Sequence, residues 1–126
     1  MKIVSPERAV ELVNDGAVLI DIREAHEHTN ENIPSARHHA LSQIDAQHPV
    51  QAGDKVLIFH CKSGARTKMN AGRLAASAGD CEVYLLGGGI EAWKRAGLPT
   101  SANPTGKQAA SAAQGGFLCR LSSMFR

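Results

Sequence analysis

The sequence predicts an α/β fold built on a parallel sheet. Three short runs, at positions 17–22, 56–59 and 83–86, are apolar on both faces and contain β-branched residues, as strands buried in a parallel sheet do. Each run is followed by a segment with helical signals. Strands that alternate with helices are typical of the α/β class.

The first helix is predicted to begin at Pro6, because Ser5 is a favourable N-cap and proline is accepted at the first helical position. The sequence Asn-Asp-Gly at 14–16 ends it. Between residues 23 and 54 two prolines interrupt the pattern, and only a short strand at 36–39 and a short helix at 41–45 are expected.

Two further helices are predicted in the second half of the chain. One covers residues 65–78 and is expected to place Met69, Leu74, Ala75 and Ala78 on one side. The other covers residues 90–96, opened by three glycines at 87–89 and closed by Gly-Leu-Pro at 97–99.

The chain of 126 residues, 43% of them apolar, fits one domain, which is expected over residues 5–101. Residues 102–126 are rich in small polar residues and are predicted to form a flexible tail. No run approaches the ~20 apolar residues of a membrane-spanning helix. The fragment at 117–125 is amphipathic, so weak association of the tail with a membrane remains an open alternative.

Charge and cysteine content narrow the classes of function. A formal net charge of +2, with basic residues interspersed among acidic ones, argues against a nucleic-acid surface. Three cysteines, without a secretory leader, favour free thiols in a reducing compartment over a disulfide framework. Cytoplasmic localisation is therefore expected. No cofactor is predicted, and the histidine pairs lack a completing ligand set, so no metal site is predicted.

Cys61 is the predicted catalytic nucleophile. It follows the strand at 56–59, and open α/β sheets bind ligands just beyond the carboxyl ends of their strands. The next residues form a short loop into a helix, whose first N–H groups stabilise an anion such as a thiolate. The predicted substrate-binding residues are the whole loop: Lys62, Ser63, Gly64, Ala65, Arg66 and Thr67.

The chain resembles the rhodanese-like sulfurtransferase family in four motifs. They are Cys61-x-x-Gly64-x-Arg66-Thr67; Leu19-Ile20-Asp21-Ile22-Arg23; Ile33-Pro34-x-Ala36; and Leu86-x-Gly88-Gly89-Ile90-x-x-Trp93 with Gly97-Leu98-Pro99. The resemblance is strongest to rhodanese domains that precede a membrane anchor, and the expectation here is a domain without that anchor. It departs from the family at residues 27–33, where an aromatic residue, a glycine and a histidine are missing.

This resemblance implies a five-stranded, mostly parallel sheet with helices on both faces. It also implies a sulfurtransferase in which Cys61 takes sulfane sulfur from a small donor such as thiosulfate and passes the persulfide sulfur to cyanide or a thiol. The N–H groups of residues 62–67 then cradle the outer sulfur, and Arg66 organises the loop.

Two other functions remain open. Cysteine phosphatases and arsenate enzymes use a similar thiolate loop, but typically with five residues between cysteine and arginine, against four here. A non-catalytic interaction or sensor domain generally loses the cysteine. Asp21 and Arg23 are expected to tie loops together, His60 and Trp93 to pack in the core, and residues 87–89 to form a tight turn. Cys81 is expected to be a passive thiol.

Overall fold

The computed structural model describes residues 2–44, 50 and 55–102. Its strands are β1 (Lys2–Val4), β2 (Val18–Asp21), β3 (Glu31–Asn32), β4 (Arg37–His38), β5 (Leu57–His60), β6 (Val83–Leu86) and β7 (Ser101–Ala102). Its helices are α1 (Pro6–Asn14), α2 (Ala25–Asn30), α3 (Ala65–Met69), α4 (Ala71–Ala78) and α5 (Gly89–Arg95), with a 3-10 turn at Leu41–Gln43. No helix in these residues is long and apolar enough to cross a membrane.

Five strands form one sheet in the order β1-β6-β5-β2-β4, and every neighbouring pair in it is parallel. The predicted fold class is confirmed. β5 lies at the centre between β6 and β2, so its carboxyl end, where Cys61 follows, is flanked by the ends of both neighbours. β3 and β7 make a separate antiparallel pair that ties the segment after α2 to the end of α5.

Helices cover both faces of the sheet. On one face α4 contributes Leu74 and Ala78 to a core that includes Phe59 and Cys61. On the other face α1 and α5 pack around a second core, whose buried members are Ala9, Leu12, Leu19, Ile33, Ile58, Leu86, Ile90 and Trp93. Residues alternate between the two faces along β5, so Cys61 and His60 have their side chains on opposite sides of the sheet.

The local signals at the first helix are confirmed. The Ser5 hydroxyl accepts a hydrogen bond from the N–H of Arg8 at 3.1 Å, Pro6 is the first helical residue, and the helix ends at Asn14. Gly16 follows with a φ of 106°. A β-branched residue there would be strained, which explains why an Asn-Asp-Gly sequence separates α1 from β2.

The prediction of one continuous helix over residues 65–78 is wrong. The structure divides it at Asn70, whose φ of −115° and ψ of 20° are not helical, into α3 and α4. Leu74 and Ala78 are buried, whereas Met69 is 83% exposed, so Met69 does not share a side with them as predicted. Met69 is five and nine positions from these two residues, and at 3.6 residues per turn it faces roughly the opposite direction even in an unbroken helix.

The edge strand β1 and the pair β3 and β7 were not expected from local pattern. β1 lies before Ser5, where the domain was expected to begin, and pairs with β6. Only two of its three residues are apolar, too few for a periodicity argument. The expected tail, beyond Ala102, and with it Cys119, lies outside the described residues.

Candidate active site

Cys61 lies immediately after β5 and is fully buried. The N–H of Gly64 donates to its Sγ at 3.1 Å, and the hydroxyl of Thr67 lies 4.0 Å from the same sulfur. That hydroxyl donates to the Gly64 carbonyl at 3.0 Å, a hydrogen bond that links the loop to the first turn of α3. The sulfur therefore already has one backbone donor directed at it.

Gly64 is required by the loop's conformation. Its φ of 96° lies in the left-handed region, and a Cβ there would approach the N atom of Gly88 at 3.1 Å. The helix α3 that follows has only five residues, so its dipole is small. The partial positive charge next to the loop therefore comes mainly from the N–H groups of the first helical turn. The N–H groups of Ala65, Arg66 and Thr67 are the ones without an intrahelical acceptor.

The start of α5 docks on the back of the loop. The N–H of Ile90 donates to the Cys61 carbonyl at 2.9 Å, and the N–H of Glu91 donates to the Lys62 carbonyl at 3.1 Å. In a trans peptide the C=O and N–H point in opposite directions. Holding these two carbonyls toward α5 therefore turns the N–H groups of Lys62 and Ser63 toward the side of the sulfur.

Gly89 makes this contact possible. A Cβ on Gly89 would lie 2.4 Å from the Cys61 carbonyl oxygen and 2.5 Å from that of Lys62. Residues 87–89 were predicted to form a tight turn; their second role, supporting the loop that follows Cys61, was not predicted. The sequence did contain a signal for this second role. Three glycines in a row precede the helix, and a turn alone does not require three.

Arg66 contacts the neighbouring helix α2. Its two terminal nitrogens donate to the two carboxylate oxygens of Glu27, both at 2.8 Å. These bonds lower the pKa of Glu27 from 4.5 to about 2 and raise the pKa of Arg66. The guanidinium charge is largely balanced by this partner, which fits the expectation that Arg66 organises the loop. Glu27 was not predicted as a site residue.

Behind the loop, a buried network surrounds Asp21. Arg23 donates to its carboxylate through the backbone N–H at 2.9 Å and through the side chain, and His28 Nδ1 lies 2.8 Å from Oδ2. Burial raises the pKa of Asp21, but the bonds from Arg23, together with His60 and His28, lower it to about 2. Arg23 also donates to the Glu31 carbonyl. These contacts hold the segment after β2 in place, in agreement with the structural role expected for Asp21 and Arg23.

The remaining predicted loop residues, Lys62, Ser63 and Ala65, are exposed around Cys61. A cleft of about 240 Å³ adjoins the loop at Lys62. It is lined by Arg23, Glu27, Asn30, Glu31, Lys62, Ile90, Glu91 and Lys94. Its acidic and basic groups balance, so the cleft as a whole does not select one sign of charge. Trp93 is buried in the core as predicted, and Cys81 is half-buried.

Fold and site together define an α/β protein with a buried cysteine in a loop of backbone donors. The chain belongs to the rhodanese-like domain family, which it matches over residues 5–96. It is 35% identical over 100 residues to the thiosulfate sulfurtransferase GlpE of Stutzerimonas stutzeri, covering 74% of this chain and 84% of that one.

Two further proteins are similar to this chain, one in sequence and one in fold. An uncharacterized protein of Synechocystis is 38% identical over 86 residues, which are 68% of this chain and 48% of that protein, so the chain spans about half of this relative's length. The solution structure of a rhodanese-like domain from Anabaena superposes with a TM-score of 0.70 at 18% identity, covering 100% of this chain and 98% of that one. This last likeness concerns the fold.

The Glu27 and Arg66 pair gives a prediction about acid stability. Glu27→Gln keeps an oxygen that can accept the N–H of Glu24 but loses the ion pair with Arg66. Because the folded pKa of Glu27 is depressed, its stabilising contribution is complete above pH 4.5 and is lost as the pH falls through about 2. The Arg66 side chain is 37% exposed, so we expect a loss of about 1 kcal/mol at pH 7.

Urea unfolding at pH 7 and at low pH measures this difference, which should shrink toward pH 2. Glu11→Gln is the matched control, since it breaks the exposed pair with Arg8 and should change nothing measurable. A Glu27→Gln protein as stable as the wild type at pH 7 would contradict the prediction.

Proposed function

We propose that the protein is a sulfurtransferase that carries sulfane sulfur on Cys61. The observation that carries the proposal is the hydrogen bond from the Gly64 N–H to Cys61 Sγ at 3.1 Å. Membership of the rhodanese-like family, and similarity to proteins named thiosulfate sulfurtransferase, support it. Hydrogen bonds to a charged group contribute roughly 1.5 to 3 kcal/mol each, so a few of them stabilise a thiolate or persulfide strongly.

The reaction has two steps that each move one sulfur atom. In the first, the Cys61 thiolate attacks the outer sulfur of thiosulfate; the S–S bond of the donor breaks, and sulfite leaves with the bonding electron pair. In the second, a thiolate or cyanide attacks the outer sulfur of the persulfide, and Cys61 leaves as the thiolate. The negative charge on the outer sulfur appears within the loop, where preorganised donors lower the barrier.

Each loop residue has a proposed part in this reaction. The N–H groups of Lys62 to Thr67 bind the outer sulfur, with those of Lys62 and Ser63 oriented by α5. Lys62 is an exposed cation within the loop and attracts the anionic donor, since the charge of Arg66 is balanced by Glu27. The hydroxyl of Thr67 fixes the Gly64 carbonyl.

The proposed reaction suits a reducing cytoplasm. Cys61 must be a thiol and not half of a disulfide to act as the nucleophile, and a reducing compartment keeps it so. We include cytoplasmic localisation in the proposal on this ground.

A direct test is treatment with thiosulfate followed by intact mass spectrometry, with thiocyanate formation from cyanide as the steady-state assay. We expect the mass of one added sulfur atom, removed again by cyanide. Aryl phosphates should not be hydrolysed, because the fully buried sulfur and a loop of four residues between Cys61 and Arg66 suit a single atom better than a tetrahedral phosphoryl group.

Insertion of one glycine after Gly64 is the matched variant for the size of the loop. It should lower sulfur transfer and improve the binding of phosphate-like oxyanions. Hydrolysis of aryl phosphates through Cys61 by the unmodified protein, without any persulfide, would replace this proposal with the cysteine phosphatase alternative.

A further inference from the structure

His60 is a fully buried histidine next to the nucleophile whose role the reaction above leaves unexplained. Its side chain lies on the face of the sheet opposite to the Cys61 side chain, yet its Nδ1 is 3.2 Å from the Cys61 carbonyl oxygen. Across the sheet it is in register with Asp21 of β2. His60 therefore contacts the peptide group of Cys61 without approaching Sγ.

The hydrogen bond identifies the tautomer of His60. A carbonyl oxygen only accepts, so the proton must be on Nδ1. Nε2 has no hydrogen-bond partner within the described residues and lies 4.0 Å from Asp21 Oδ2. This distance is too long for a hydrogen bond, so the opposite tautomer would give up one bond and gain none.

The surroundings keep this imidazole neutral. Burial is the largest effect and lowers the pKa of His60; Asp21 on β2 and the Cys61 carbonyl oppose it, whereas Arg23 after β2 and His28 on α2 lower the pKa further. The carboxylate of Asp21 is hydrogen-bonded to Arg23 and His28, and its Oδ2 lies 4.0 Å from His60 Nε2. A neutral ring with its hydrogen on Nδ1 can make the hydrogen bond to the Cys61 carbonyl.

The Cys61 carbonyl consequently has two donors, His60 Nδ1 and the N–H of Ile90 at 2.9 Å. One donor restrains the direction of a carbonyl loosely; two from different elements restrict its rotation. Because the following N–H points the opposite way in a trans peptide, the pair also fixes the direction of the Lys62 N–H. That direction is toward the side of the sheet on which Sγ lies.

We infer that His60 is a positioning residue for sulfur transfer: by holding the Cys61 carbonyl, it directs the Lys62 N–H at the outer sulfur of the persulfide. This inference rests on the proposed function of the loop. His60 touches neither donor nor acceptor and exchanges no proton with them; its effect passes through one peptide group. A role in core packing alone requires only the volume of the ring.

Two substitutions separate positioning from packing. His60→Leu fills a similar volume but has no donor. His60→Asn has an amide nitrogen at the branch position that corresponds to Nδ1, so it can donate to the Cys61 carbonyl while losing the rest of the ring. We expect the rate of persulfide formation with thiosulfate to fall about tenfold in His60→Leu and to return to within about threefold of wild type in His60→Asn.

Alkylation of Cys61 by iodoacetamide across a range of pH is the second measurement, and it is independent of sulfur transfer. Its midpoint should move to higher pH in His60→Leu and back in His60→Asn. Wild-type rates and alkylation in His60→Leu, or a His60→Asn that is folded but no better than His60→Leu, would overturn the inference.

Folding of both variants is checked by thermal unfolding. If either fails to fold, the wild-type protein still decides the question through two-bond ¹H–¹⁵N NMR correlations of the His60 ring. Hydrogen on Nδ1 between about pH 6 and 8 is expected; hydrogen on Nε2 alone, or a doubly protonated ring, would overturn the inference. Failure of the wild type to form any persulfide would instead refute the proposed function, while the NMR result and the alkylation profile would still report on the contact of His60 with Cys61.

Discussion

Cys61→Ala is expected to abolish persulfide formation and to lower thiocyanate production by at least about three orders of magnitude, because the transferred sulfur has no other covalent carrier in the proposed reaction. Cys61→Ser is the more conservative variant. Its hydroxyl can still accept the N–H of Gly64, so the loop should stay folded while the nucleophile becomes far weaker. Both variants are tested by intact mass after thiosulfate and by steady-state assay.

Cys81→Ala is the matched control in the same chain. Cys81 precedes β6, whereas Cys61 follows β5, and the two strands are parallel neighbours, so the two thiols lie at opposite ends of the sheet. Cys81 is half-buried and should be dispensable for transfer. Loss of activity in a folded Cys81→Ala protein, or a persulfide on Cys61→Ala, would show that the nucleophile has been misassigned.

Gly89→Ala is expected to have the second largest effect, because its methyl group would lie 2.4 Å from the Cys61 carbonyl oxygen and 2.5 Å from that of Lys62. Both contacts are with backbone, which cannot rotate away as a side chain can. To relieve them, α5 must withdraw from the loop, and the hydrogen bonds from Ile90 and Glu91 lengthen or break. We expect about 3 kcal/mol of lost stability and a rate of sulfur transfer lower by about a hundredfold.

The control for Gly89→Ala must separate this clash from the strain of a left-handed backbone. Gly89 has a φ of 60°, and Gly16 has a φ of 106° with no atom within 4 Å of its added Cβ. Gly16→Ala should therefore cost only about 1 kcal/mol and leave activity near wild type. Chemical denaturation and steady-state kinetics on both variants give the comparison. Equal losses in the two would mean that docking of α5 contributes nothing specific to the loop.

The sequence by itself determined the class of the fold and the place in it of Cys61, the proposed nucleophile. Val83–Leu86 is the predicted strand, Pro6 and its cap Ser5 begin the first helix as expected, and Cys61 follows β5. These features depend on signals within a few residues, such as an apolar run, a cap and a proline, which act before distant parts of the chain meet. The length of the loop from Cys61 to Arg66 is likewise a local property.

Only the tertiary structure decided how that loop is supported. Glu27 is 39 residues from Arg66 along the chain, and Gly89 and Ile90 reach Cys61 because β6 pairs beside β5. In both cases strand order and register set the outcome, since side chains far apart in sequence interact only after the sheet has brought their elements together.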